Sequence, residues 1–363
     1  MMLGPAIELD LPLTVLASDP QESAALVAGT VRLGRHDDEQ AVRSLAREVD
    51  VLTFDHEHVP TAVLERLDQE GLAAVRPGPH ALVHAQDKLE MRRRLSALGH
   101  PCPRWWHVED LTQLEQALAE NGGPVIVKTP RGGYDGHGVR IVEQAEQAAD
   151  WLDRHGELLV EQKVAFTREL SAQVARRPGG ETAAYPVVQS LQRDGVCYEV
   201  VAPAPGLDEA AQQQIQQLAA RIAEDLDVVG MLAVELFETG DGQVLVNELA
   251  MRPHNTGHWT MDGAVTGQFE QHLRAVADLP LGSTAMVAPC AVMVNLLGGT
   301  AEHLAPGARA AMDADPDVKV HLYGKSVRPG RKLGHVTVVG EDPAALLERA
   351  HRAETLIVDK ETP

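Results

Sequence analysis

The chain has 363 residues, 44% hydrophobic and 23% charged, and its 32 Lys+Arg against 53 Asp+Glu leave a formal charge of −21; that length suits two or three cores of roughly 100–150 residues. The absence of any run of about 18 uncharged apolar residues excludes a membrane-spanning helix, and the negative field argues against a nucleic-acid partner. Cys102, Cys197 and Cys290 lie too far apart for a disulfide framework or a thiolate metal site, and the opening MMLGPAIELDLP is no signal peptide, so a cytosolic protein is predicted.

In chain order, a helical start over residues 1–9 runs into a strand at 13–17. A helix at 19–27, a strand at 30–33, a helix at 38–49, a strand at 51–54, a helix at 61–69 and a strand at 73–75 follow. Short apolar strands between amphipathic helices predict a parallel sheet. Breakers at Arg76-Pro77-Gly78-Pro79 place a first boundary near residue 80. The middle third turns to hairpins, with strands at 125–128, 139–142 and 158–162 and a helix at 145–154. A long amphipathic helix at 209–226 leads to strands at 231–237 and 243–249, joined by the turn Glu238-Thr239-Gly240-Asp241-Gly242. After a helix at 268–276, Pro280 and Gly282 place a second boundary near 280. Short strands and a terminal helix at 344–355 complete the chain.

Four constellations could carry chemistry. Residues 128–138 (KTPRGGYDGHG) join two strands, and four glycines in seven residues expose backbone N–H groups able to wrap a phosphate. The lysine precedes the glycines and a strand follows them, so this is neither a Walker A loop nor a dinucleotide fingerprint; an empty flexible hairpin is the alternative. Lys128 ends the apolar run Val125, Ile126, Val127, where a buried ammonium needs a partner such as phosphate. Glu235 and Asn247-Glu248 lie on strands joined by a tight turn, so two carboxylates can converge as hard ligands for Mg²⁺; a solvent-facing edge is the alternative. Residues 252–259 (RPHNTGHW) set a guanidinium, two imidazoles and an amide beside that pair, suited to a planar anion. Zinc held by His254 and His258 would need a helix, against which Pro253 and Gly257 argue. Residues 324–332 (GKSVRPGRK) carry four cations in a strongly acidic chain, an anion pocket or a solvated loop. His56-Glu57-His58 follow a strand at the end where α/β sheets bind ligands, though a capping role is equally open.

Together with residues 53–60 (TFDHEHVP), 85–88 (AQDK), 161–164, 168–171 (RELS), 247–260 (NELAMRPHNTGHWT), 293–298 (MVNLLG) and 323–336 (YGKSVRPGRKLGHV), these segments resemble the ATP-grasp superfamily and, within it, the N5-carboxyaminoimidazole ribonucleotide synthases. The resemblance implies an α/β and α+β fold of three domains. These are a Rossmann-like pre-ATP-grasp domain (1–80), a central ATP-grasp domain (81–280) and a small C-terminal domain (281–363). It implies carboxylation of 5-aminoimidazole ribonucleotide with ATP and bicarbonate through carboxyphosphate, in purine biosynthesis, by a homodimer using Mg²⁺, or Mn²⁺ in its place.

By position, the resemblance puts Lys88 and Lys128 on ATP phosphates beneath a flap of Gly133, Tyr134, Asp135, Gly136, His137 and Gly138. Adenine falls to Glu161, Gln162, Lys163 and Val164, and the ribose to Glu169, with Gln189 nearby where a histidine is usual. Glu235 and Glu248 carry the metal, with Asn247 beside them. Arg252 orients bicarbonate; Glu57, Tyr134, Asp135, His254 and Asn255 contact the imidazole nucleotide, and Lys325 and Arg331 its 5′-phosphate. Lys128, Asp135, Arg252 and His254 form the catalytic set. Four of the seven lysines thus fall on motif positions.

Departures from the pattern are His56 and His58 for Phe and Asn, Met251 for Pro, and the N-terminus. The family opens with a strand and a GGGQLG-type loop, and this chain starts within the following helix. That leads to the expectation that a first strand and loop are missing, through a late-assigned start or a truncation that cripples carboxylation. A formate-dependent purine transformylase, or an ATP-binding protein without carboxylase activity, is the alternative.

Overall fold

The computed structural model describes residues 1–133 and 138–359. Among them the N-terminal strands pair in parallel as expected, but in two separate two-stranded sheets: Thr14–Ala17 with Thr30–Leu33, and Val51–Leu52 with Ala74–Val75. The predicted helix at 19–27 begins only at Ser23, because the Asp19 carboxylate accepts the Gln21 N–H at 2.8 Å in a turn before it. The predicted strand at 51–54 stops at Leu52, and Thr53 instead hydrogen-bonds the His272 ring at 2.7 Å.

The breakers near residue 80 start a helix as well as ending a segment. Pro79 sits at the first turn of Pro79–Gln86, where its missing N–H costs nothing. Asp87 closes that helix and caps the next, Lys88–Ala97, by accepting the Leu89 and Glu90 N–H groups.

Two antiparallel sheets follow. The smaller orders its strands as Trp105–Val108, Leu158–Gln162, Val125–Lys128 and Val139–Val142. The larger, nine-stranded sheet runs Val244–Ala250, Gly230–Thr239, Phe166–Arg176, Val188–Arg193, Val196–Ala202, Cys290–Leu297, Lys332–Gly340 and Lys319–Leu322, with Thr182–Ala184 alongside Phe166–Arg176. The C-terminal strands are therefore not a run of short ones. Cys290–Leu297 and Lys332–Gly340 have eight and nine residues and extend the central sheet through pairing with Val196–Ala202. Val292, Val294, Val336 and Val338 pack against the helix Pro343–Val358, whereas Ala291 and Met293 join the cluster around Trp259. Both faces are buried, including the polar Asn295, His335 and Thr337, so these strands lack the solvated polar face by which a half-exposed strand is read.

The main core lies beneath the larger sheet, where Leu232, Val234 and Leu236 meet Ile215, Leu218 and Ile222 of the helix Glu209–Asp225. The smaller sheet has its own cluster, built from Val125, Val127, Leu158 and Val160 with Leu114. Two separately packed sheets thus present their strand ends to one another.

Candidate active site

The glycine-rich connection begins at Lys128, the last residue of the buried strand Val125–Lys128. Lys128 is 5% exposed, and the partner its ammonium needs is already in the chain: Nζ lies 2.8 Å from Glu161 Oε2 and 2.9 Å from Asn247 Oδ1. The Glu161 side chain is thus committed to an ion pair, leaving only its backbone for an adenine. Gln162 and Lys163 are exposed, Val164 is buried, and the Gln162 N–H donates to the Arg104 carbonyl.

Lys88, at the start of its helix, donates to the Gly133 carbonyl at 3.3 Å and pairs with Glu248 at 3.1 Å. Its own N–H donates to the Pro130 carbonyl, so the root of the glycine-rich segment is held from two sides. At the far end Gly138 has φ +76°, and a Cβ there would come within 2.6 Å of Thr129 Oγ1; only glycine fits. Tyr134, Asp135, Gly136 and His137 lie outside the described residues.

The hairpin brings Glu235 directly opposite Glu248. The register then slips so that Leu236 pairs with Val246, and Asn247 becomes the extra residue of a bulge. Bulges re-aim side chains, and Asn247 is aimed across the gap at Lys128 of the other sheet. Burial, then the charges of Glu248 and Glu169, push the Glu235 carboxyl up to about 8. Burial acts on Glu248 too, but Lys88 and Lys128 outweigh it and hold its carboxyl below the ordinary range. Burial alone raises Glu169 to about 7. Gln189 accepts from Arg168 at 3.3 Å.

Arg252 donates to Glu57 Oε2 at 2.7 Å, while Oε1 of the same carboxylate takes the Met251 N–H at 3.2 Å, so two residues singled out separately and 195 positions apart form an ion pair. His254 Nε2 stands 3.3 Å from Glu235 Oε1, and its Nδ1 is 2.8 Å from Thr256 Oγ1. Burial, then Arg252 and Lys332, hold this imidazole well below its usual titration range. Asn255 Oδ1 accepts from Asn295 at 3.0 Å. Residues 255–257 form a single short turn, not the helix that a zinc pair of His254 and His258 would need, and His258 Nδ1 is engaged by Gln268 at 2.7 Å. Among the described residues no group of three or more His, Cys, Asp or Glu side chains could hold a metal ion.

Lys325 lies 5.3 Å from the centre of the Tyr323 ring, and Arg331 donates to Ser326 Oγ at 2.7 Å. The Tyr323 hydroxyl meets His335 Nδ1 at 2.8 Å, and His335 stacks on His258 at 4.9 Å, which ties this basic loop to the segment bearing Arg252. Sequence reasoning named Lys332 only among the four cations of the basic loop, yet its charge acts on both Glu235 and His254; it missed Arg92, which binds Glu161. Arg92 stands four residues after Lys88, so helical spacing could have found it.

Two sheets closing on phosphate-suited lysines and a carboxylate pair define an ATP-grasp ligase. Family models described as a ribonucleotide synthetase preATP-grasp domain, an ATP-grasp domain and a phosphoribosylaminoimidazole carboxylase C-terminal domain match residues 1–86, 93–269 and 291–349. The N5-carboxyaminoimidazole ribonucleotide synthase of Mycobacterium tuberculosis is 50% identical over 362 residues, spanning 96% of this chain and 82% of its own length. The crystal structure of the corresponding synthetase from Thermus thermophilus superposes with a TM-score of 0.87 at 36% identity, covering 100% of this chain and 97% of that one. The Aspergillus clavatus synthase, solved with ADP and 5-aminoimidazole ribonucleotide, gives 0.88 at 28% identity over 98% and 95%. The chain belongs to the N5-carboxyaminoimidazole ribonucleotide synthase family, which does not favour the transformylase alternative.

Proposed function

We propose that this chain carboxylates the exocyclic amine of 5-aminoimidazole ribonucleotide, consuming ATP and bicarbonate and releasing ADP and phosphate. The observation that carries the reading is the meeting of Lys88, Lys128, Asn247 and the Glu235–Glu248 pair between two sheets, with Arg252 and Glu57 alongside. Bicarbonate is inert until one oxygen becomes a leaving group; phosphorylation by ATP makes carboxyphosphate. The amine nitrogen then bonds to the carboxyl carbon as the C–O bond to phosphate breaks and the amine proton leaves. Lys88 and Lys128 stabilise negative charge on the nucleotide phosphates. Arg252, held through Nε by Glu57 and through Nη1 by the Pro253 carbonyl, would turn its remaining N–H groups to a planar carboxylate. His254, neutral at physiological pH, offers a hydrogen bond without adding charge.

The residues fit a divalent cation: Glu235 faces a second carboxylate, and burial, then that neighbour, push its carboxyl up to about 8. Glu235 and Glu248 would hold Mg²⁺ or Mn²⁺, which when bound supplies charge neutralisation for the phosphoryl group. The 5′-phosphate would fall to Lys325 and Arg331, the ribose to Glu169 and the adenine to the 161–164 backbone. We further propose a cytosolic enzyme divided near residues 80 and 280. The free state of Cys102, Cys197 and Cys290 supports the compartment; the homodimer rests on the family resemblance alone. The test is phosphate release from MgATP with and without aminoimidazole ribonucleotide and bicarbonate. Release that requires both is expected; ATP binding with no such release would defeat the proposal.

A further inference from the structure

Arg92 is fully buried, yet it belongs to no segment that suggested chemistry. Its two terminal nitrogens donate to the Val246 carbonyl at 2.7 Å and the Asn247 carbonyl at 2.9 Å. These carbonyls flank the bulge, where ladder partners are lost and another donor is required. The same guanidinium pairs with one oxygen of Glu161, and the other oxygen takes Lys128 at 2.8 Å. One buried carboxylate is therefore shared by two cations. Arg92, Lys128 and Glu161 together carry one positive charge; without Arg92 they would carry none. A lysine cancelled by its own carboxylate in a low-dielectric site attracts an anion weakly.

We propose that Arg92 is a positioning residue for the nucleotide phosphates: it occupies Glu161 so that Lys128 keeps a net charge for phosphate, and it pins the bulge that aims Asn247 at Lys128. The inference rests on the ATP reading above. Lysine cannot reproduce the role, because it lacks the fork that reaches two carbonyls and a carboxylate together.

The test compares R92M, R92K, E161Q and R92M/E161Q. ATP KM and kcat are read from co-substrate-dependent phosphate release, ADP affinity by calorimetry, and folding by thermal denaturation. R92M should raise ATP KM by roughly 10- to 100-fold, the size of one lost charge-assisted phosphate contact, with a smaller change in kcat. Adding E161Q should recover roughly tenfold of that loss, because it frees Lys128 again. A double variant no better than R92M, or an R92M that loses thermal stability while its ATP KM and ADP affinity hold, overturns the proposal. Should R92M not fold, R92K decides: an ATP KM raised at least about threefold supports the role, and an unchanged one overturns it. If the unaltered chain releases no phosphate in response to its co-substrates, the carboxylation reading fails, while ADP calorimetry still judges Arg92.

Discussion

Glu235 and Glu248 occupy directly paired positions on neighbouring strands, yet their carboxyls shift in opposite directions: Lys88 pairs with Glu248 at 3.1 Å, whereas burial and the facing carboxylates dominate at Glu235. With its carboxyl pushed up to about 8, Glu235 is protonated at pH 7 when no cation is bound. Glutamine imitates that form in shape and charge. Glu235→Gln should therefore cost less than about 1 kcal/mol in urea denaturation without divalent cations. It should also lower Mg²⁺-dependent turnover by roughly 100-fold or more. Turnover that survives, or a protein that barely folds, would count against the metal assignment. Glu235, Asn247 and Glu248 were legible because a tight turn fixes which residues of two strands oppose one another. The Asn247 bulge and the Arg92–Glu161 pair were not, since the first depends on register and the second joins residues 69 positions apart through packing alone.

The helices and strands that carry these groups owe their placement to a few local contacts, among which Asp87 is central. Its buried carboxylate caps Lys88–Ala97 through the Leu89 and Glu90 N–H groups, and its other oxygen accepts Arg131 Nε at 2.7 Å. One side chain thus fixes the start of the helix bearing Lys88 and Arg92 and also grips the glycine-rich segment. Asp87→Ala should cost about 1–2 kcal/mol, chiefly the lost cap, since the exposed Arg131 stays hydrated, and should raise ATP KM. Asp87→Asn, which can still cap, should cost less than the alanine variant. Denaturant titration with steady-state ATP kinetics checks both; equal losses from Asn and Ala would show that capping is not the cause. Hairpin strands such as Val125–Lys128 and Val139–Val142 were readable because turns bound them. Phe166–Arg176 was not, since Ser171, Gln173 and Arg176 are buried polar residues that break its apolar run.

At the scale of the whole molecule, the N-terminal unit shares an apolar core with the central sheet, Leu52, Phe54 and Leu64 lying in one cluster with Leu170, Leu232 and Leu249, and a few polar contacts add to it. Glu57 meets the Met251–Arg252 backbone and side chain, Arg76 donates to the Val276 carbonyl, and Thr53 meets His272. His272 serves both sides at once: Nε2 faces Thr53 Oγ1 at 2.7 Å, and Nδ1 accepts the Met231 N–H at 3.1 Å. Gly230, at φ +116°, permits that approach, because a Cβ there would stand 3.0 Å from the imidazole. A ring accepting at Nδ1 must be neutral, and burial lowers its titration to about 4. The sequence placed this histidine on a helix but offered nothing to mark it as a joint, since both partners come from other segments.

Its consequence is a defined pH window. Between about 4 and the unfolded value near 6.5 the unfolded chain holds a proton on His272 that the folded chain refuses. Stability from this residue is therefore complete above pH 6.5 and falls as pH drops, by about 3 kcal/mol once pH is below 4. Burial likewise depresses His254, His258 and His335, so the unaltered protein should lose stability more steeply than one proton explains. His272→Gln isolates one share of that slope. At pH 7.5 it should be less stable by about 1–3 kcal/mol through lost hydrogen bonds, and by pH 4.5 the gap should close or reverse. Urea denaturation of both proteins from pH 4.5 to 7.5 measures the difference directly. Parallel stability curves would mean that His272 titrates alike in the folded and the unfolded chain, and would overturn the linkage.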